Sequence, residues 1–205
     1  MDYTAEIAGK TLEYFDDEHL YLVDGIIVPS ITQVVKGIAI VGRYHNVAPD
    51  VLKKAADKGT AVHEAIENYV KNGVDSELPE VRGFKFLQRQ YNFQTLESEV
   101  PVILFSGAEP VAAGRLDLVI QIDGFLGGAD IKRTAVLDKN YLFYQLNLYR
   151  LAYLQSYGIG WKFLRGIHLR EEKRKFVEIP LADDAEVATW IQLFKKNESV
   201  SYAEK

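Results

Sequence analysis

Three side chains in one short stretch set the chemical question. Asp117, Asp130 and Lys132 fall within Gly114–Thr134, GRLDLVIQIDGFLGGADIKRT. Two converging carboxylates can hold a hard divalent cation, and a lysine beside them can offset negative charge that builds on a reacting oxygen. Whether they converge depends on how the stretch folds. Two apolar runs of period-two alternation flank Asp123-Gly124, a dipeptide that strongly favours a two-residue hairpin turn. On the first run Leu116, Leu118, Ile120 and Ile122 share one face, and Arg115, Asp117, Val119 and Gln121 share the other. With that turn, Ile122 pairs with Phe125 and Asp117 falls opposite Asp130, with Lys132 two residues further along the same face. Opposed Cβ atoms lie roughly 4.5–5.5 Å apart, and like charges there destabilise a sheet unless a cation lies between them. Gly127-Gly128 is the weak point, because a bulge there would shift the pairing by one residue. On the hairpin alone, an exposed ribbon with aspartates placed by chance competes on equal terms with a metal site.

Composition narrows the field. A chain of 205 residues, 48% of them apolar, fits one domain spanning 1–205 with a sizeable core. There is no cysteine, which excludes disulfides, zinc–thiolate sites, iron–sulfur clusters and a cysteine nucleophile. No apolar run approaches membrane-spanning length, and MDYTAEIAGK lacks the apolar segment of a signal peptide. A soluble, cytoplasmic protein without a membrane partner is expected. The net charge of -5 argues against a broad basic surface but not against a local basic groove. There is no internal repeat, low-complexity tract or linker.

The elements that must position these residues follow from periodicity. Residues 11–28 read as an N-terminal hairpin turning at Asp24-Gly25, and Ser30 as the N-cap of a short helix through Val35. Gly37–Asn46 reads as irregular. From Pro49 two helices are expected, broken at Asp57–Gly59, the second running from Thr60 to Asn72 and stopped by Gly73. Val62, Ile66, Tyr69 and Val70 form its apolar stripe, with His63 and Glu67 together on a flanking face. A lone histidine there is more often a packed or surface residue than a ligand, and Glu67 more often a solvated charge. Leu78–Leu96 reads as a helix with Phe84, Leu87, Gln88 and Tyr91 inward, followed by a strand over Glu99–Phe105. Glu99 is either a boundary charge or a group reaching the site from its edge. After the hairpin, a helix ended by Gly158 repeats Leu142, Gln145, Leu146, Tyr149, Ala152 and Tyr153, so Gln145 and Tyr149 sit one turn apart. A glutamine in such a stripe needs hydrogen-bond partners. Strands over Lys162–Leu169 and Lys175–Leu181 flank the charged turn REEKRK, and a helix over Asp183–Asn197 closes the chain.

Taken in order, GTAVHEAIE with His63, AGRLDLV with Asp117, ADIKRT with Asp130 and Lys132, and YQLNLYRLAY with Gln145 and Tyr149 resemble the PD-(D/E)XK nuclease superfamily. The likeness is to its RecB-like branch, which includes many phage exonucleases. YLVDGIIVPSITQVV and ESEVPV around Glu99 match that branch too, so the likeness runs from Tyr21 to Tyr153. The resemblance implies an α/β fold, a three-layer α/β/α sandwich with a mixed central sheet. Its catalytic core would span 49–181, between the hairpin at 11–28 and the helix at 183–197. It implies a DNA nuclease dependent on Mg²⁺ or Mn²⁺, acting at DNA ends in recombination or repair. Asp117, Asp130, the Ile131 carbonyl and His63 would be metal ligands, and Lys132, Gln145 and Tyr149 catalytic groups; Glu67 and Glu99 are candidate additions. Lys53, Lys54, Lys58, Arg115 and Arg133 are candidate phosphate contacts, each otherwise an ordinary solvated charge. DNA is the implied partner; a recombination protein and self-association stay open. A catalytically silent DNA- or partner-binding module is the main alternative, and a sequence-specific endonuclease a third.

Overall fold

The computed structural model describes residues 2–39 and 48–203, so most of the expected irregular stretch at 37–46 lies outside the described residues. The chain runs β1 (Tyr3–Ile7), β2 (Lys10–Phe15), β3 (Leu20–Val23), β4 (Ile26–Val28), α1 (Ile31–Ile38), α2 (Pro49–Asn72), α3 (Pro79–Tyr91), β5 (Gln94–Ser106), β6 (Glu109–Ile122), β7 (Phe125–Lys132), α4 (Lys139–Tyr157), β8 (Phe163–Arg170), β9 (Lys173–Ile179) and α5 (Asp184–Ala203). It is an α/β protein with two sheets. The first is an antiparallel meander, β1-β2-β3-β4, and the second is mixed, β5-β6-β7-β8-β9, with only β7 and β8 parallel. Helix α4 makes the crossover that parallel neighbours require.

Local chemistry explains most boundaries. Asp24-Gly25 and Asp123-Gly124 place both central residues at positive φ (51° and 76°, 50° and 83°), the pairing whose twist suits a tight hairpin. The expected hairpin over 11–28 keeps its turn at Asp24-Gly25, but its first arm is split into β2 and β3, and β1 precedes it. Ser30 and Gln33 form a reciprocal capping box that starts α1, which runs on to Ile38.

Two expected boundaries are corrected. There is no break at Asp57–Gly59: α2 is continuous from Pro49 to Asn72. An interior glycine costs a helix about 1 kcal/mol relative to alanine without removing a hydrogen bond, and the ladder runs through it. Gly73, at φ 67°, supplies the left-handed cap that does end the helix. Helix α3 stops at Tyr91 because Asn92 turns left-handed at φ 48°, so Gln94 and Leu96 belong to β5 and Tyr91 is exposed rather than inward.

The mixed sheet carries two apolar clusters. Val100, Val102, Leu104, Val119 and Leu164 pack with α1, α4 and α5, while Leu118, Ile120, Ala129, Ile131, Ile167 and Leu169 pack with α2 and α3. A third cluster joins the N-terminal meander to β5 and β6 through Leu12, Tyr14, Tyr21, Ile103 and Ala113. The bulge considered at Gly127-Gly128 does not occur. A Cβ at Gly127 would lie 2.3 Å from the Phe163 ring, and one at Gly128 would lie 2.1 Å from Trp161, so these glycines admit the lead-in to β8.

Candidate active site

The β6–β7 pairing holds the expected register from Ile122↔Phe125 through Leu118↔Ala129 without a shift. Beyond it the Asp117 side chain takes over from the ladder, its Oδ2 accepting the Ile131 N–H at 2.7 Å. Asp117, Asp130 and Lys132 all line one cleft of about 630 Å³, together with His63, Glu67, Glu99, Arg115, Gln145 and Tyr149. The hairpin, α2, β5 and α4 each contribute.

His63 is fixed by its own backbone partner. Its Nε2–H donates to the Ile131 carbonyl at 3.0 Å, which leaves Nδ1 facing Glu99 Oε1 and Asp117 Oδ2, each at 3.7 Å. His63, Glu99 and Asp117 thereby offer three donor atoms within 4.8 Å of one another. One imidazole nitrogen with two carboxylates could hold a divalent metal ion. Glu99, only a candidate addition from sequence, belongs to this group. It lies between the pairs Ser98↔Leu118 and Val100↔Leu116, level with Asp117, and holds φ at 54°, a strained value for glutamate in mid-strand. Arg115 Nε grips its other oxygen at 2.6 Å. Asp130 is almost wholly buried beside Lys132 Nζ, at 2.6 Å, and the Ile131 carbonyl is engaged by His63.

Crowded charge away from water shifts His63, Asp117, Asp130, Lys132 and Tyr149. Burial opposes charging His63, but Asp117 and Glu99 outweigh it and lift its pKa to about 9. Burial raises Asp130 to about 6, with Lys132 opposing and Asp117 reinforcing the rise. Asp117 is raised as well, chiefly by burial. Burial disfavours the Lys132 ammonium, yet Asp130 and Asp117 hold its pKa above the ordinary value. Tyr149 is pushed well above the phenol range by burial and the surrounding anions, so it stays neutral. Its ring fits because position 114 is glycine: a Cβ there would lie 3.0 Å from the Tyr149 hydroxyl. Among the described residues Gln145 Oε1 is buried without a hydrogen-bond partner, an amide acceptor held in reserve at the cleft wall.

The candidate phosphate contacts separate. Arg115 lines the cleft. Lys53, Lys54 and Lys58 are exposed on α2 ahead of His63, outside the cleft lining. Arg133 is not a free cation: its Nε bonds Glu80 Oε1 at 2.8 Å in a buried pair that ties β7's end to α3. Glu67 lines the cleft and pairs with Lys71 at 2.6 Å. Asp16, Tyr21, Thr32 and Glu64 also line it and were not singled out from sequence. For Tyr21 the only local signal was strand alternation; docking of the meander on β6 is long-range.

No family model matches the chain, and no curated protein matches it. Among solved structures, one described as the crystal structure of SSO0001 aligns with 17% identity and a TM-score of 0.47, covering 84% of this chain and 75% of that one. None of the helices among the described residues is long and apolar enough to cross a membrane.

Proposed function

We propose that this chain is a metal-dependent nuclease that hydrolyses phosphodiester bonds in DNA, working from ends with Mg²⁺ or Mn²⁺. The observation that carries the reading is a three-donor group, His63, Glu99 and Asp117, with donor atoms within 4.8 Å, in one cleft with the half-buried Lys132. When bound, a divalent cation would offset phosphate charge and acidify a water molecule. His63 would present Nδ1, its orientation set by the Ile131 carbonyl, and Asp117 and Glu99 would present carboxylates. Asp130 holds Lys132 charged and aimed into the cleft, where the ammonium can stabilise negative charge as it develops on phosphate oxygens. Gln145 offers a buried amide to position the attacking water or a nucleotide. The DNA substrate, the preference for ends, a recombination or repair partner and a cytoplasmic setting rest on the sequence resemblance.

The test is incubation with linear and covalently closed DNA in Mg²⁺, Mn²⁺ or EDTA. Linear DNA should be degraded with either metal and persist in EDTA, while closed circles persist throughout. Efficient nicking of closed circles would replace the exonuclease with an endonuclease, and DNA bound but never cut would leave only a binding module.

A further inference from the structure

A second surface, away from the cleft, has the composition of a stacking platform. It lies where α3 meets β9, the last strand of the mixed sheet, and encloses a hollow of about 720 Å³. Three rings form a ladder behind it. Phe93 and Phe176 stack with centroids 5.1 Å apart and planes 5° from parallel, and Tyr91 continues the series 4.6 Å beyond Phe176. The inner rungs are packed, but Tyr91, the outermost, is 40% exposed. Phe86, five residues earlier on α3, is exposed to the same extent, with the Arg174 guanidinium 4.0 Å above its centre.

Charge points the same way. Lys173, Arg174 and Lys175 line the hollow, and none of the three makes an ion pair among the described residues. The lining acid Glu172 is engaged by Arg82 at 3.6 Å. A protein of net charge -5 therefore presents here a local excess of positive charge around exposed aromatic rings. Rings that end an open ladder, beside unpaired cations, suit a ligand that alternates flat apolar faces with anions. Single-stranded nucleic acid is that ligand, since bases stack on aromatic side chains in a sequence-tolerant way while phosphates meet lysine and arginine.

We propose that the α3–β9 surface binds single-stranded nucleic acid, with a base on Tyr91 and flanking phosphates on Lys173, Arg174 and Lys175. The proposal does not depend on hydrolysis in the cleft, and its test is run without metal. In EDTA no cation can bridge phosphate to the cleft carboxylates, and the variants at Tyr91, Lys173 and Lys175 assign the binding to the hollow.

The measurement is fluorescence anisotropy of a labelled oligothymidylate with the full chain, its fold checked by circular dichroism. An abasic oligomer carrying the same phosphates serves as the comparison. The wild type should bind oligothymidylate more tightly than the abasic strand. Tyr91→Ala should weaken oligothymidylate binding roughly 5- to 150-fold, the range of one lost base–aromatic stack, and abolish the preference over the abasic strand. Tyr91→Phe should preserve both. Lys173→Glu with Lys175→Glu, both exposed, should weaken the two strands alike and flatten the dependence of log K on log salt by roughly 1.4. The site is overturned if the metal-free wild type does not bind, if it binds the abasic strand equally well, or if folded Tyr91→Ala binds like the parent. Whether the cleft cuts DNA does not enter these outcomes.

Discussion

Glu80 and Asp130 are both 2% exposed, and each carries a cation within 2.8 Å, yet their pKa values move in opposite directions. At Glu80 burial alone would raise the pKa, but the backbone N–H groups of Glu171 and of Glu80 itself, with Arg133, outweigh it and hold the carboxylate below its ordinary value. At Asp130 a single ammonium faces burial and the neighbouring Asp117, and the carboxyl rises to about 6. The difference lies in depth, Asp130 being set deeper among protein atoms, and in partners. Glu80 has enough donors to be a finished structural contact. The acids around Asp117 have too few, and that shortage is what a bound cation would relieve.

The largest expected effect is on the finished contact. Glu80→Ala leaves the Arg133 guanidinium and the Glu171 N–H without their partner, and should cost about 3–5 kcal/mol in urea unfolding. A cost under about 1 kcal/mol would erase the contrast. Lys132→Ala should cost on the order of 10²–10³ in single-turnover cleavage, because its charge acts on the transition state, while Mn²⁺ binding holds or tightens. Cleavage at the parental rate would remove Lys132 from the chemistry.

A third measurement asks for opposite pH slopes in the metal-free protein. Asp130 has a folded pKa above its unfolded 3.8, so the unfolded chain ionises first and stability falls as pH rises from about 4 to 6. Asp130→Asn should recover on the order of 1–3 kcal/mol above pH 6. Glu80 is depressed, so its contribution is complete above pH 4.5 and is lost as pH falls through its lower folded value. Glu80→Gln should therefore flatten the acid limb of the stability profile, and Asp130→Asn the limb between pH 4 and 6. Profiles changed in the same direction would contradict the comparison.

The smallest effect is a proton count. His63, raised to about 9 from 6.5, carries a proton that a metal must displace. Mn²⁺ binding near pH 7.5 should release about one proton, read from titration calorimetry in buffers of different ionisation enthalpy, and His63→Gln should abolish the release.

What the sequence made legible was local. The Asp123-Gly124 turn and period-two alternation suffice to place Asp117 and Asp130 in one cleft, and three-and-four spacing suffices for Gln145 and Tyr149. What it hid depends on distant partners. Arg133 reads as a free cation because Glu80, which satisfies it, lies 53 residues earlier. Glu99 reads equally as a boundary charge or a group reaching the site from its edge, because its place level with Asp117 is set by pairing with β6, not by its neighbours in sequence. Gly59 reads as a break because propensity cannot show that the helix continues around it.

Gly127 and Gly128 bear finally on the order in which the protein assembles. Two adjacent glycines make a strand that is entropically costly to order, and the room they leave is filled by Trp161 and Phe163, which arrive only after α4. The Asp123-Gly124 turn can close in roughly 1–10 μs, but a parallel neighbour across a long crossover is intrinsically slow. The segment bearing Asp130 and Lys132 should therefore rigidify as β8 docks, not when the hairpin turn closes. In pulse-labelled hydrogen exchange, the amides of Ala129–Lys132 should gain protection together with those of β8; protection gained together with the turn would reverse that order.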